Sequence, residues 1–98
     1  MESSERRVIE IAADQFCVDK DTLNRGTRLG LDVKADSLDI LEFGEKIEDQ
    51  GGFGVAIPDD FDVLKGGKSN EPLTLGNIID YIDKAREAQA ATKGGEKG

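Results

Sequence analysis

Leu75, Ile78, Ile79, Ile82 and Ala85 recur at helical spacing behind Thr74, and this stripe limits the fold more than any other feature of the chain. Apolar residues at i, i+3, i+4 and i+7 share one side of a helix, which must be buried against neighbouring elements. The same period returns over residues 4–16, where Val8, Ile11, Ala12 and Phe16 fall together. It returns again over residues 36–50, through Leu38, Leu41 and Ile47 with Ile40 and Phe43 beside them. A chain of 98 residues that is 37% hydrophobic and has no Trp builds a modest core of Ile, Leu and Val. Such a core suits a small helical bundle better than a deep enzyme cleft. The expected fold is therefore all-α: three main helices and one short helix, with a long first loop.

The connections follow from the capping and turn residues. Ser3 or Ser4 is placed to cap the first helix, and Val18 to Leu23 reads as a break with a short turn. A long irregular segment follows, and Leu29, Leu31 and Val33 are the apolar points expected to pin it to the core. Asp36 is a good N-cap, Asp39 adds a carboxylate near the positive helix end, and Gly51-Gly52 closes this second helix. Asp59 or Asp60 is expected to cap a short third helix through Leu64, burying Phe61 and Leu64. Residues 65–72 form a polar loop dense in turn residues, and Thr74 caps the last helix. That helix is expected to fray beyond Ala91, giving one domain over 1–91 and a flexible tail over 92–98.

Charge is concentrated in the central third. Residues 31–62 carry two basic groups against ten acidic ones, net −8, which equals the net charge of the whole chain. A field of that sign repels nucleic acid and anionic lipid and steers basic protein surfaces toward it. No apolar run approaches a membrane span, and the start at Met1–Arg7 lacks a signal-peptide core, so the cytoplasm is the expected location. The single cysteine, Cys17, forms no internal disulfide.

Catalytic and metal signatures fail one by one. There is no histidine, which removes the usual general base for a nucleophile and the commonest metal ligand. Gly67-Lys68-Ser69 has the ending of a phosphate-binding loop, but the first glycine of that motif falls on Asp62. Asp32 to Phe43 fails as a calcium loop: Lys34 takes a ligand position, Ser37 replaces the turn glycine, and Phe43 replaces the final glutamate. No catalytic residue and no metal site are expected. What remains is Ser37, a hydroxyl presented at a helix start beside unpaired backbone N–H groups, where an esterified phosphate is favoured.

Ala35-Asp36-Ser37-Leu38-Asp39 resembles the prosthetic-group attachment motif of acyl carrier proteins. Its surroundings match in order along most of residues 4–86. Leu29 precedes the serine at the family's spacing for a large apolar residue, Phe53 to Ile57-Pro58-Asp59 resembles its segment after the second helix, and Thr74-Leu75 to Ile82 resembles its last helix. The resemblance implies that Ser37 carries phosphopantetheine, delivered from coenzyme A by a magnesium-using phosphopantetheinyl transferase. It implies a carrier, not an enzyme, that holds acyl groups as thioesters and presents them to acyl-processing enzymes with basic docking surfaces. Asp36 and Leu38 would flank the arm, and Asp39, Glu42, Glu45 and Glu48 would meet the partners. The expected state is a monomer.

Several positions depart from the family pattern. Cys17 and Lys34 stand where the family has glycine, and Glu45 and Lys46 replace apolar or small residues on the second helix. Extra residues lie near Gly51-Gly52 and in Lys65–Pro72, where they either widen an acyl cavity, add a docking surface or pad the surface. These departures point to a specialised, free-standing carrier. An amino- or aryl-acid carrier and an unmodified acidic helical adaptor are the alternative readings.

Overall fold

A computed structural model describes residues 4–68 and 70–97, with side chains through Gln89. Helix α1 spans Glu5–Phe16, α2 Ser37–Gln50, α3 Phe61–Leu64 and α4 Leu75–Lys97, and a 3-10 turn covers Lys20–Thr22. Among the described residues there is no strand, only an isolated bridge between Arg28 and Thr74. The all-α bundle expected from the apolar periods is the fold observed. The α4 backbone runs past Ala91, and the side chains of 90–97 lie outside the described residues, as do Ser3 and Gly98.

The core is shared by the long helices. Val8, Ile11 and Ala12 of α1 meet Ile40, Phe43 and Ile47 of α2 and the Leu75, Ile78, Ile79 and Ile82 stripe of α4. Phe16 and Phe43 pack edge to face with ring centres 5.2 Å apart, joining α1 to α2. The buried stripe of α2 is thus 40, 43, 44 and 47, and Leu38 is 62% exposed. Leu38 sits about 200° round the helix from Ile40, so one face cannot hold both. Phe61 is only half-buried, because the single turn of α3 turns just Leu64 fully inward.

Three backbone hydrogen bonds fasten the long first loop to the start of α4. Leu29 N–H donates to Leu73 at 3.0 Å, Leu75 N–H to Thr27 at 3.0 Å, and Gly76 N–H to Arg25 at 2.8 Å. Gly76 is required at this crossing, since a Cβ there would lie 2.9 Å from the Arg25 carbonyl oxygen. Leu29 is fully buried, as expected of a pin, and Val33 is half-buried. Leu31 is not a pin. It occupies a turn that Asp32 closes by accepting from the Arg28 N–H at 2.7 Å and from its guanidinium at 3.1 Å, which leaves Leu31 62% exposed.

Ser4 takes the N-cap position of α1 without capping it. Its hydroxyl donates to Asp83 at 2.7 Å and accepts from Arg86 at 3.0 Å, so the group is spent in tying the start of α1 to α4. At the other chain turns the caps are those expected. Asp60 accepts from the Asp62 N–H at 2.9 Å, and Thr74 Oγ1 accepts from the Asn77 N–H at 3.2 Å. The left-handed residue behind α2 is Gly52, with φ 71, while Gly51 keeps helical angles.

Among the described residues Cys17 and Lys34 are the non-glycine residues in left-handed positions, with φ 56 and φ 57. A side chain there costs about 1–2 kcal/mol, offset partly by the greater freedom of glycine in the unfolded chain, about 0.5–1 kcal/mol. Cys17→Gly and Lys34→Gly are each expected to stabilise the fold by about 0.5–1 kcal/mol and raise the melting temperature by a few degrees, read by circular dichroism.

Asp32 gives a pH prediction. The Arg28 guanidinium, with help from the Arg28 N–H, holds its carboxyl below the usual carboxylate range. The stability this contributes is present above the ordinary aspartate range and is lost as the pH falls through the lowered value. An NMR titration is expected to place the Asp32 midpoint below that of a free aspartate, and Arg28→Gln to move it back up.

Candidate functional site

The first turn of α2 is fixed by a reciprocal pair of hydrogen bonds. Asp36 has extended backbone angles, and its Oδ1 accepts from the Asp39 N–H at 2.9 Å. Asp39 Oδ2 accepts in return from the Asp36 N–H at 3.1 Å, completing a capping box. Upstream, Ala35 is buried and its N–H donates to Leu29 at 2.9 Å, so the cap is tied to the same leucine that anchors the loop. Ser37 then falls at the first helical position, exposed, with Leu38 exposed beside it. The N–H groups of Ser37 and Leu38 have no partner among the described residues, as the helix start dictates. A nucleophilic hydroxyl therefore stands free in solvent at the positive end of a rigid helix.

The four acidic candidates along α2 are not equivalent. Glu42 and Glu45 are exposed and unpaired among the described residues. Asp39 is half-buried and already engaged in the box. Glu48 is exposed, but its Oε2 accepts from the Ile57 N–H at 2.6 Å. Lys46, which the sequence sets beside Glu45 as a recognition feature, faces α1 instead. Its side chain is 23% exposed and its Nζ lies 2.5 Å from the Asp14 carboxylate. Only the spacing of Asp14 and Lys46 across two helices could have revealed this pair, and sequence distance hides it.

A cleft of about 150 Å³ opens between α2 and α3, beginning at Ile40 and Leu41 of α2, and reaches Ile78 of α4. Ile40, Leu41, Gly44, Ile57, Phe61 and Leu64 line it, and Glu45, Glu48 and Asp59 stand on its rim. Gly44 makes room for the wall: a Cβ there would meet the Ile57 side chain at 3.2 Å. A larger hollow of about 510 Å³ runs along α1 beside the 3-10 turn, lined by Glu5, Arg6, Ile9 and Lys20 among others. It holds none of the α2 residues, and its mixed charges converge on no common point. The α2–α3 cleft, by contrast, is lined by α2 residues one turn beyond Ser37.

No helix among the described residues is long and apolar enough to cross a membrane. No family profile matches the chain. Curated relatives do. An acyl carrier protein of Lactobacillus acidophilus is 36% identical over 76 residues, covering 78% of this chain and 84% of the relative. Acyl carrier proteins from two strains of Porphyromonas gingivalis are 33% identical over 84 residues, covering 86% of this chain and 96% of theirs. Likeness over nearly the whole of such relatives, in a four-helix chain with a serine presented at the start of its second helix, leads to one conclusion: the chain belongs to the acyl carrier protein family.

Proposed function

We propose that this chain is a carrier, not a catalyst, and that Ser37 is the attachment point of a phosphopantetheine arm. The observation that carries the reading is the exposed Ser37 hydroxyl, held by the Asp36–Asp39 box beside the free N–H groups of Ser37 and Leu38. A phosphate esterified to Ser37 Oγ meets those donors and the positive helix end, a setting that favours its charge. Phosphopantetheine supplies a terminal thiol that holds an acyl group as a thioester. Loading by a phosphopantetheinyl transferase forms an Oγ–P bond on Ser37 and breaks the pyrophosphate P–O bond of coenzyme A: the nucleotide leaves with the bridging oxygen, and the Oγ proton is released to base.

The rest of the chain divides the remaining tasks. Leu38, 62% exposed, offers apolar contact to the arm or to a partner. Glu42 and Glu45 are the free acids that meet basic docking surfaces. Each exposed pair contributes about 0–1 kcal/mol, so they act mainly on encounter and selectivity. The apolar lining of the α2–α3 cleft takes the apolar part of a tethered group. In this reading the carrier is a cytoplasmic monomer, with its working domain over 1–91 and a tail over 92–98, serving acyl-transfer and acyl-processing enzymes of fatty-acid, lipid or specialised biosynthesis.

Incubation with coenzyme A and a broad-specificity transferase is expected to add one phosphopantetheinyl group by mass spectrometry, and Ser37→Ala to add none. Loading of the alanine variant at another residue would overturn the assignment, and no loading of the native chain would favour an unmodified adaptor. Asp36→Ala is expected to destabilise the fold by about 1 kcal/mol and to slow loading, because the box that fixes the first turn is lost. Asp36→Asn keeps an acceptor for the Asp39 N–H, so thermal melting should place it between the native chain and the alanine variant.

A further inference from the structure

Residues 57–59 line the α2–α3 cleft, at the end of a segment, 52–59, that makes no backbone–backbone hydrogen bond among the described residues. Gly52 and Gly54 both have left-handed angles, φ 71 and φ 69, so the segment belongs to neither helix nor strand. Side chains hold it. Gln89 donates to the Gly54 carbonyl at 2.9 Å, and the Arg86 guanidinium lies 5.4 Å from the centre of the Phe53 ring. Both fix the early part of the segment against α4. The later part, which forms the cleft wall, is fastened by Glu48, whose carboxylate accepts from the Ile57 N–H at 2.6 Å. That bond sets the Ile57 side chain against Gly44, across the cleft lining.

We propose that Glu48 is the positioning residue of the cleft, a latch whose hydrogen bond to the Ile57 N–H decides how far the α2–α3 cleft is open to solvent. A carboxylate acceptor makes a stronger bond than a neutral one, and a segment with no backbone pairing depends on it more than a strand would. Glu48 thus differs in kind from Glu42 and Glu45. Its value lies in accepting a hydrogen bond from its own chain, and a docking cation finds it already engaged. The use of the latch rests on the carrier reading, since the cleft matters to a tethered group. The latch itself does not.

Amide hydrogen exchange by NMR on the full unmodified chain tests the bond. Glu48→Ala is expected to speed exchange at Ile57 on the order of tenfold while leaving Ile78, Ile79 and Ile82 of α4 unchanged. Glu48→Gln keeps an acceptor oxygen and is expected to stay within a few-fold of the native rate. Unchanged exchange at Ile57 in the alanine variant overturns the latch. So does an alanine variant in which the α4 amides accelerate equally, or a glutamine variant indistinguishable from alanine. A second arm reads cleft access: with an octanoyl thioester on the arm, hydroxylamine should cleave it several-fold faster in Glu48→Ala than in the native chain. Equal cleavage rates overturn control of access. Failure of Ser37 to load refutes the carrier reading and leaves the exchange arm to decide the latch.

Discussion

The junction between the first loop and the start of α4 governs the rest of the structure. Residues 25–29 run against 73–76 through backbone hydrogen bonds, and Gly76 lets the two backbones meet. Arg25 strengthens the crossing by ion pairs to Asp80 of α4 and Glu5 of α1. Leu29, fixed there with no exposed surface, receives the Ala35 N–H and so sets where α2 begins. The position of Asp36, and through the capping box that of Ser37, follows from an anchor on a different helix. A long loop with few apolar residues is ordered because its polar backbone is answered by α4, not because it is buried throughout.

The helices were legible because their periods are unambiguous. Thr74 with its Ile-rich stripe, and Asp36 with Asp39, each carry a local instruction that the fold obeys. The apolar face of α2 was harder to read, because Leu38 and Leu41 compete with Ile40, Phe43 and Ile47 and only packing decides among them. Leu31 misleads for a related reason: hydrophobicity suggests burial, but the Arg28–Asp32 turn places it outside. Ser4 looks like a cap and serves instead as a link to Asp83 and Arg86, partners 79 and 82 positions away. Long-range polar choices of this kind leave no periodic trace. The glycine departures at Cys17 and Lys34 were visible as substitutions, while their left-handed angles required coordinates.

Acidic residues on α2 serve several ends at once. Asp36 and Asp39 satisfy N–H groups at the helix start, Glu48 accepts from the Ile57 N–H, and Glu42 and Glu45 have no partner among the described residues. The acids of α2 therefore differ in what they already hold within the fold. Family relatives at 33–36% identity establish what kind of protein this is, and the hydrogen-bond partners of each acid separate those that build the fold from those that face outward.

The Lys46–Asp14 pair has a consequence for how the molecule presents itself in solution. It neutralises the border between α1 and α2, so the unpaired acids are left on the outward side of α2. Residues 31–62 carry net −8 and residues 63–98 net +1, which makes the charge distribution lopsided as well as negative. Such a body has an electric dipole moment, and in the field of a cationic surface it experiences a torque as well as an attraction. Rotational diffusion near such a surface is then biased before contact, toward orientations that turn the acidic middle stretch of the chain to it.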